Sequence, residues 1–296
     1  MKQKITPHLW YDKEAKEAAE FYTSVFPNSK IKNSTIIPDT PSGDCDILTI
    51  EIFNQEFTLI SAGPYFKLNP SISFLVLLDT KEEVDELWEK LSEEGKPLME
   101  LGEYPFSEKY GWIQDKYGLS WQLMKCLGGQ EVKQRIIPLL MFTQKQAGKA
   151  EEAINFYKSI FKNSKIGDIM RYDQDKSPDK EGTIAYAQFR LENQDFAAID
   201  SAQDHKFIFN EAVSLMVHCD TQEELDYYWK KLSAVPESEQ CGWLKDKYGV
   251  SWQIVPTKLD KMMQDKDKNK IAKVTQAFLK MKKFDIETLK RAYGGK

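Results

Sequence analysis

Residues 111–123 read GWIQDKYGLSWQL, and residues 242–254 read GWLKDKYGVSWQI. Nine of these thirteen positions are identical, and the other four exchange Ile for Leu, Gln for Lys, Leu for Val and Leu for Ile. The 296-residue chain therefore contains a duplication. Each copy reads locally as a β-hairpin. Gly111-Trp112-Ile113 and Leu119 to Leu123 form its strands, and Asp115-Lys116-Tyr117-Gly118 supply the turn, with Gly118 free to take a positive φ. An aromatic-rich hairpin of this kind is first an element of core.

The duplication extends outward from the hairpin. Residues 5–11 read as a strand with an edge-type Pro7, and Ile137 to Phe142 repeat it. Asp12 is expected to cap the helix that follows, where Ala15, Ala18, Ala19, Tyr22, Val25 and Phe26 recur at helical spacing. Ala150, Ala153, Ile154, Tyr157, Ile160 and Phe161 match them. Three strands follow in each copy, the last two joined at Asn54-Gln55 and at Asn193-Gln194. Ile72 to Leu78 and Val213 to Cys219 are apolar at nearly every position, so both faces should be covered. Each runs into a capping box, Thr80 with Glu83 and Thr221 with Glu224. Each copy thus reads βαβββ twice, over domains at 1–127 and 131–257 joined by Gly128-Gly129-Gln130. The second copy is shorter through Pro236 to Glu239. A helical extension, 258–296, follows. Lys258 to Lys270 should be loose or frayed helix, Ile271, Val274, Phe278 and Met281 should dock, and Asp285 should cap a final helix.

Composition excludes several classes. A net charge of −5 leaves no basic stripe for nucleic acid. No apolar run approaches the roughly 20 residues of a membrane span, and Met1 to Ile5 lack the apolar core of a signal peptide. Cys45, Cys126, Cys219 and Cys241 show no metal-knuckle or disulfide spacing, which fits reduced thiols in the cytoplasm.

A βαβββ unit used twice per domain resembles the vicinal-oxygen-chelate superfamily of glyoxalase I, extradiol dioxygenases and bleomycin-resistance proteins. Phe207, Asn210 to Ser214, His218 to Thr221, Glu224, Trp229 and above all Cys241 to Gln253 resemble its PhnB-like branch. The resemblance covers roughly residues 4–257 and extends to the tail at Ala277 to Lys283. It implies an α+β chain of two tandem paired-βαβββ domains, the glyoxalase/bleomycin resistance-like fold, with a helical tail. Members are often labelled demethylubiquinone methyltransferases, yet no Gly-rich strand-to-helix turn of the methyltransferase kind occurs in this chain. Single-domain members look like obligate dimers, often with exchanged modules. The resemblance therefore implies an intramolecular pseudo-dimer, with further homo-oligomerisation left open.

In metal-using members, side chains on a cupped sheet hold one divalent ion that polarises substrate oxygens. The last-strand ligand there is often a Glu after Trp. Here that position is Gln122 in the first copy and Gln253 in the second. His8 on the first strand has Leu139 as its counterpart. Of the other histidines, His205 lies in a loop, and His218 shares a strand face with Ser214 and Met216. Asp200 ends a strand, as a turn residue or a site residue, and Cys241 stands where the first copy has Tyr110. No metal ligand is assigned, and no cofactor is expected, with a divalent metal as the alternative. Two functions are weighed. One is a small-molecule binder whose pocket is built from Trp10, Trp112, Trp121, Gln122, Asp200, His218, Cys241 and Gln253. The other is a metal-dependent enzyme of the glyoxalase or dioxygenase kind.

Overall fold

The computed structural model describes residues 3–126, 132–174 and 176–295. The linker expected at Gly128-Gly129-Gln130 lies outside the described residues. Four modules follow one another. The first is β1 (Ile5–Tyr11), α1 (Ala15–Val25), β2 (Ser29–Thr40), β3 (Gly43–Ile52) and β4 (Gln55–Ser61). The second is β5 (Ile72–Leu78), α2 (Lys81–Ser92), β6 (Lys96–Tyr104), β7 (Ser107–Gln114) and β8 (Ser120–Lys125). The third is β9 (Ile136–Thr143), α3 (Ala150–Ile160), β10 (Lys165–Arg171), β11 (Ile184–Leu191) and β12 (Gln194–Ser201). The fourth is β13 (Val213–Cys219), α4 (Gln222–Leu232), β14 (Trp243–Lys245) and β15 (Ser251–Pro256). The tail forms α5 (Thr257–Met263), α6 (Lys268–Phe278) and α7 (Ile286–Gly294).

The modules pair across the repeats. A seven-stranded sheet runs β14-β15-β13-β1-β4-β3-β2, and an eight-stranded sheet runs β10-β11-β12-β9-β5-β8-β7-β6. The first therefore joins modules one and four, and the second joins modules two and three. Both seams are antiparallel, with Ile5 opposite Val217 in one and Ile72 opposite Leu140 in the other. Each seam pairs one side of a module's first strand, which would otherwise present unpaired N–H and C=O groups as a sheet edge.

Two glutamines clamp one sheet to the other. Gln55, on the seven-stranded sheet, donates to the Ile136 carbonyl at 2.7 Å and accepts from its N–H at 2.8 Å. Gln194, on the eight-stranded sheet, does the same to Ile5, at 2.7 Å in both directions. The match is what a preserved pseudo-twofold requires, since isologous contacts use the same surface on both sides.

The helices form where the pattern places them. Ala15, Ala18, Ala19, Tyr22 and Val25 of α1 are buried, and Thr80 and Glu83 close a full capping box on α2. Thr221 accepts from the Glu224 N–H at 3.2 Å, while Glu224 accepts from the Asp220 N–H at 2.8 Å. Asp12 does not cap α1. The N-cap is Glu14, and the Ala15 N–H is satisfied by the Ser61 hydroxyl at 3.1 Å. The tight turns sit one residue earlier than expected. Phe53-Asn54 and Glu192-Asn193 take positive φ, which leaves Gln55 and Gln194 on the strands as clamps.

The repeated hairpin encloses a buried carboxylate in each copy. Asp115 accepts from the Tyr22 hydroxyl and the Trp121 indole at 2.8 Å each, and from the N–H groups of Tyr117 (2.9 Å) and Leu119 (3.0 Å). Asp246 accepts from Tyr157 (2.7 Å), Trp252 (2.8 Å), and the N–H groups of Tyr248 (2.9 Å) and Val250 (3.1 Å). Desolvation pushes both carboxyls up to about 6, against the pull of these four donors.

Module four lacks a counterpart of β6, and a 3-10 turn at Pro236–Ser238 stands in its place. The tail supplies what is missing. The N–H groups of Cys241 and Gly242 donate to the carbonyls of Met281 (2.8 Å) and Lys282 (2.7 Å). A Cβ on Gly111 would lie 2.4 Å from the Trp88 ring, whereas one on Gly242 would lie 2.4 Å from Phe284 of the tail. Ile271, Val274, Phe278, Phe284 and Leu289 are buried, and Asp285 caps α7 as expected. The stretch expected as loose or frayed helix, Lys258 to Lys270, holds most of α5, a non-helical break at 264–267 and the start of α6. No described helix is long and apolar enough to cross a membrane.

Candidate functional site

In both sheets, alternate residues face the helices and the others face away. Along β1, Ile5, Leu9 and Tyr11 join the helix-side core, so Thr6, His8 and Trp10 face away. Register then extends each helix-free face across its sheet.

On the seven-stranded sheet this face carries Trp10, His218 and Gln253. The Trp10 indole donates to the Gly63 carbonyl at 2.7 Å, and its ring meets Trp243 edge-on at 5.9 Å. Gln253 donates to the Ser214 hydroxyl at 2.9 Å. His218 Nε2 lies 3.1 Å from Thr6 Oγ1, and its Nδ1 lies 3.6 Å from Asp260 on α5. Thr35 on β2 donates to the Met263 carbonyl at 3.3 Å. The tail thus lies on this face, where Met262, Met263, Val274 and Phe278 join one buried cluster with Met216 and Val255.

The matching face of the eight-stranded sheet has a separate apolar floor. Leu75, Ile137, Leu139 and Ala197 are buried, and Leu77, Met124, Tyr186 and Ile199 pack around them half-buried. One polar chain crosses this floor. The Tyr110 hydroxyl donates to Gln122 Oε1 at 2.8 Å, and Gln122 Nε2 donates to the Ser73 hydroxyl at 2.7 Å. Burial, with Tyr104 and Tyr186 nearby, raises the Tyr110 phenol, so it stays a neutral donor. Trp112 shares the face and donates to Ser120 Oγ at 2.7 Å. Phe106, 48 % exposed, lies edge-on to Tyr110 at 5.0 Å.

The eight residues of the expected pocket are therefore spread over several environments. Trp112 and Gln122 come together on one face, and Trp10, His218 and Gln253 lie on the other. Trp121 is on the helix side, fully buried against Tyr22, Phe26 and Phe74. Asp200 accepts from the N–H groups of Gly148 (2.8 Å), Ala150 (3.0 Å) and Ile184 (3.0 Å), and so holds the start of α3 as Ser61 holds that of α1. Desolvation raises its carboxyl against those bonds. The Cys241 thiol meets the Phe278 carbonyl at 3.6 Å, and burial raises its pKa, the opposite of what a nucleophile needs. Tyr110 and Ser73 were not singled out from sequence. The signal was alternation, since Tyr110 lies two residues before Trp112 on one strand.

The fold family implies a divalent ion, and the donor chemistry tests it. On the seven-stranded face, His8 and Gln253 are the nearest candidates. Burial lowers His8 to about 3, so its imidazole is neutral, and its Nδ1 has no partner among the described residues. His8 pairs with Ser214 and lies four residues along β13 from His218, roughly 13 Å at a strand's rise. Across the other sheet, Leu139 replaces His8 beside Gln122. Among the described residues no three His, Cys, Asp or Glu side chains gather as a metal set. One imidazole and an amide do not fit a divalent ion.

Paired βαβββ modules with a helix-free face on each sheet define the vicinal-oxygen-chelate fold of the glyoxalase type. Glyoxalase I from Zea mays shares it, at 14 % identity and a TM-score of 0.53 over 88 % of this chain and 96 % of that one. The chain belongs to the family described as 3-demethylubiquinone-9 3-methyltransferase, whose model matches residues 3–124 and again 134–255. A PhnB protein from Bacillus cereus is 39 % identical over 42 % of this chain and 100 % of its own, with a TM-score of 0.40. No curated protein matches the chain.

Proposed function

We propose that this protein binds a small, uncharged, largely apolar molecule on the helix-free face of the eight-stranded sheet. The carrying observation is the partly open floor of Leu77, Met124, Tyr186 and Ile199, crossed by the chain Tyr110–Gln122–Ser73. Apolar walls with a few convergent polar groups are the usual composition of a small-molecule site. The floor residues carry no charge, so an ionised ligand would lose its hydration there without an opposite charge. The metal-dependent alternative finds no donor set among the described residues of either face. The methyl transfer in the family's name finds no cofactor cradle in this sequence.

The test uses N-phenyl-1-naphthylamine, a neutral probe that fluoresces in apolar surroundings. Saturable enhancement is expected, with Leu77→Asp weakening binding at least about tenfold, since a carboxylate on that floor must be desolvated. Absence of saturable enhancement with the unaltered chain would end this reading.

A further inference from the structure

We propose a second site, outside both sheet faces, that takes a small organic anion: a carboxylate or phosphate carried on one ring or a short chain. A cleft of about 260 Å³ opens between the turn after β9, the loop before β13 and the closing hairpin of module four. Three lysines, Lys145, Lys245 and Lys247, line it together with Ile208, Phe209 and Val235. Its volume lies below the roughly 300–1,000 Å³ of drug-sized sites, which sets the size of the occupant.

The other repeat is a built-in control. Three residues, Asp12 to Glu14, join Tyr11 to Ala15, whereas seven, Thr143 to Lys149, join Phe142 to Ala150. The four extra residues provide Lys145, on a 3-10 turn at Gln144–Gln146. At the position of Lys245 the first repeat has Gln114, and at that of Ile208 it has Lys67. The space differs too. A Cβ on Gly118 would meet Leu68 at 3.6 Å, while one on Gly249 would meet nothing within 4 Å. Phe209, the counterpart of Leu68, is buried against Phe142, with ring centroids 5.1 Å apart. The first repeat thus packs this place, and the second leaves it open, gains Lys145 and Lys245, and gives up the cation of Lys67 for the apolar Ile208.

The charges fit an anion with an apolar body. Lys245 is held by Glu211 at 2.8 Å, and both side chains are about one-fifth exposed. Lys247 is held by Glu152 at 2.9 Å, on the outer side, with Nζ 4.9 Å from the Tyr248 ring centroid. Lys145 has no carboxylate partner among the described residues. An anion seated between Lys145 and Lys245 gives Lys145 the carboxylate or phosphate partner it lacks and shares Lys245 with Glu211, and Ile208, 41 % exposed, gains cover from the body it carries.

The experiment is an amide NMR titration of the full chain with benzoate, phenyl phosphate, inorganic phosphate and neutral benzyl alcohol. Benzoate or phenyl phosphate should shift the Lys145, Ile208 and Gly249 amides saturably and leave Gly118 in place. Whichever of the two binds tighter identifies the head group as carboxylate or phosphate. Lys145→Ala and Lys245→Gln, the latter restoring the first repeat's residue, should each weaken binding at least about tenfold while the spectrum stays folded. Equal binding of benzyl alcohol would remove the anion from the proposal, and equal binding of inorganic phosphate would remove the apolar body. No saturable shift at millimolar probe, or equal shifts at Gly118 and Gly249, would overturn it outright.

Discussion

The two helix-free faces began as copies of one design and now differ in what lies over them. On the seven-stranded sheet the tail covers the face, and polar side chains sit beneath it. Gln253 pairs with Ser214, His218 faces Thr6 and Asp260, and His8 stays neutral. On the eight-stranded sheet Leu139 takes the place of His8, Gln122 still bonds to a serine, and the apolar floor is half-open. The amide–serine pair was kept on both faces, while the cover and the first-strand residue diverged. Duplication let one face become part of the core, and the other is the face to which our proposal assigns the ligand.

The largest effect that would break this contrast is removal of the cover. A chain ending at Thr257 should lose several kcal/mol and expose the Met216 and Val255 surface. Each fully buried apolar side chain of the tail contributes about 1.5–3 kcal/mol before the entropy of ordering it. Aggregation or a fall in denaturation midpoint is the expected readout. An unchanged midpoint would mean that the tail is not part of that core.

Next in size is the buried carboxylate. Asp246→Ala leaves four donors without an acceptor and should cost about 3–5 kcal/mol by chemical denaturation. Asp246→Asn tests the charge alone. The folded-state pKa of Asp246 is raised to about 6, above the unfolded carboxylate value near 4. The contribution of this titration is therefore fully present below about 4 and lost as pH rises through 6. The stability advantage of Asp246 over Asn should shrink across that window. An advantage that grew instead would mean that the four donors outweigh burial.

The clamps come third. Gln194→Ala removes two bonds to the Ile5 backbone and should cost about 1–3 kcal/mol, as should Gln55→Ala at Ile136. If the sheets are coupled through both, the double variant should depart from additivity in a double-mutant cycle. Smallest is Tyr110→Phe, which leaves the Gln122 carbonyl without its donor. It should cost about 1–2 kcal/mol and weaken probe binding more than it lowers the midpoint.

Much of this fold was legible in the residues. The hairpin repeat, the helical stripes of Tyr22 and Tyr157, and the caps at Thr80 and Thr221 are local signals that periodicity carries directly. Pairing of the repeats within one chain came only with the family resemblance. The choice of partner module was not legible, because strands with both faces apolar, such as Ile72–Leu78, carry no mark of their neighbour. The site was less legible than the fold. Trp121 and Trp112 lie nine residues apart in one hairpin, yet one faces the core and the other the open face. Asp115 reads as a turn residue until its four donors are seen. The loss of a β6 counterpart showed in sequence only as a shortened stretch, with no sign that Phe284 would occupy the place of Trp88.

The exchange of modules also sets the order in which the chain can finish folding as it is made. Ile72 meets Leu140 within roughly 70 residues of chain, so the eight-stranded sheet can close once module three has emerged. Ile5 must wait for Val217, roughly 210 residues later. At the usual pace of synthesis that delay is about 10–40 s. Of the four modules, the earliest made is sealed only when the latest emerges, and until then its β1 edge is a bare, vulnerable surface.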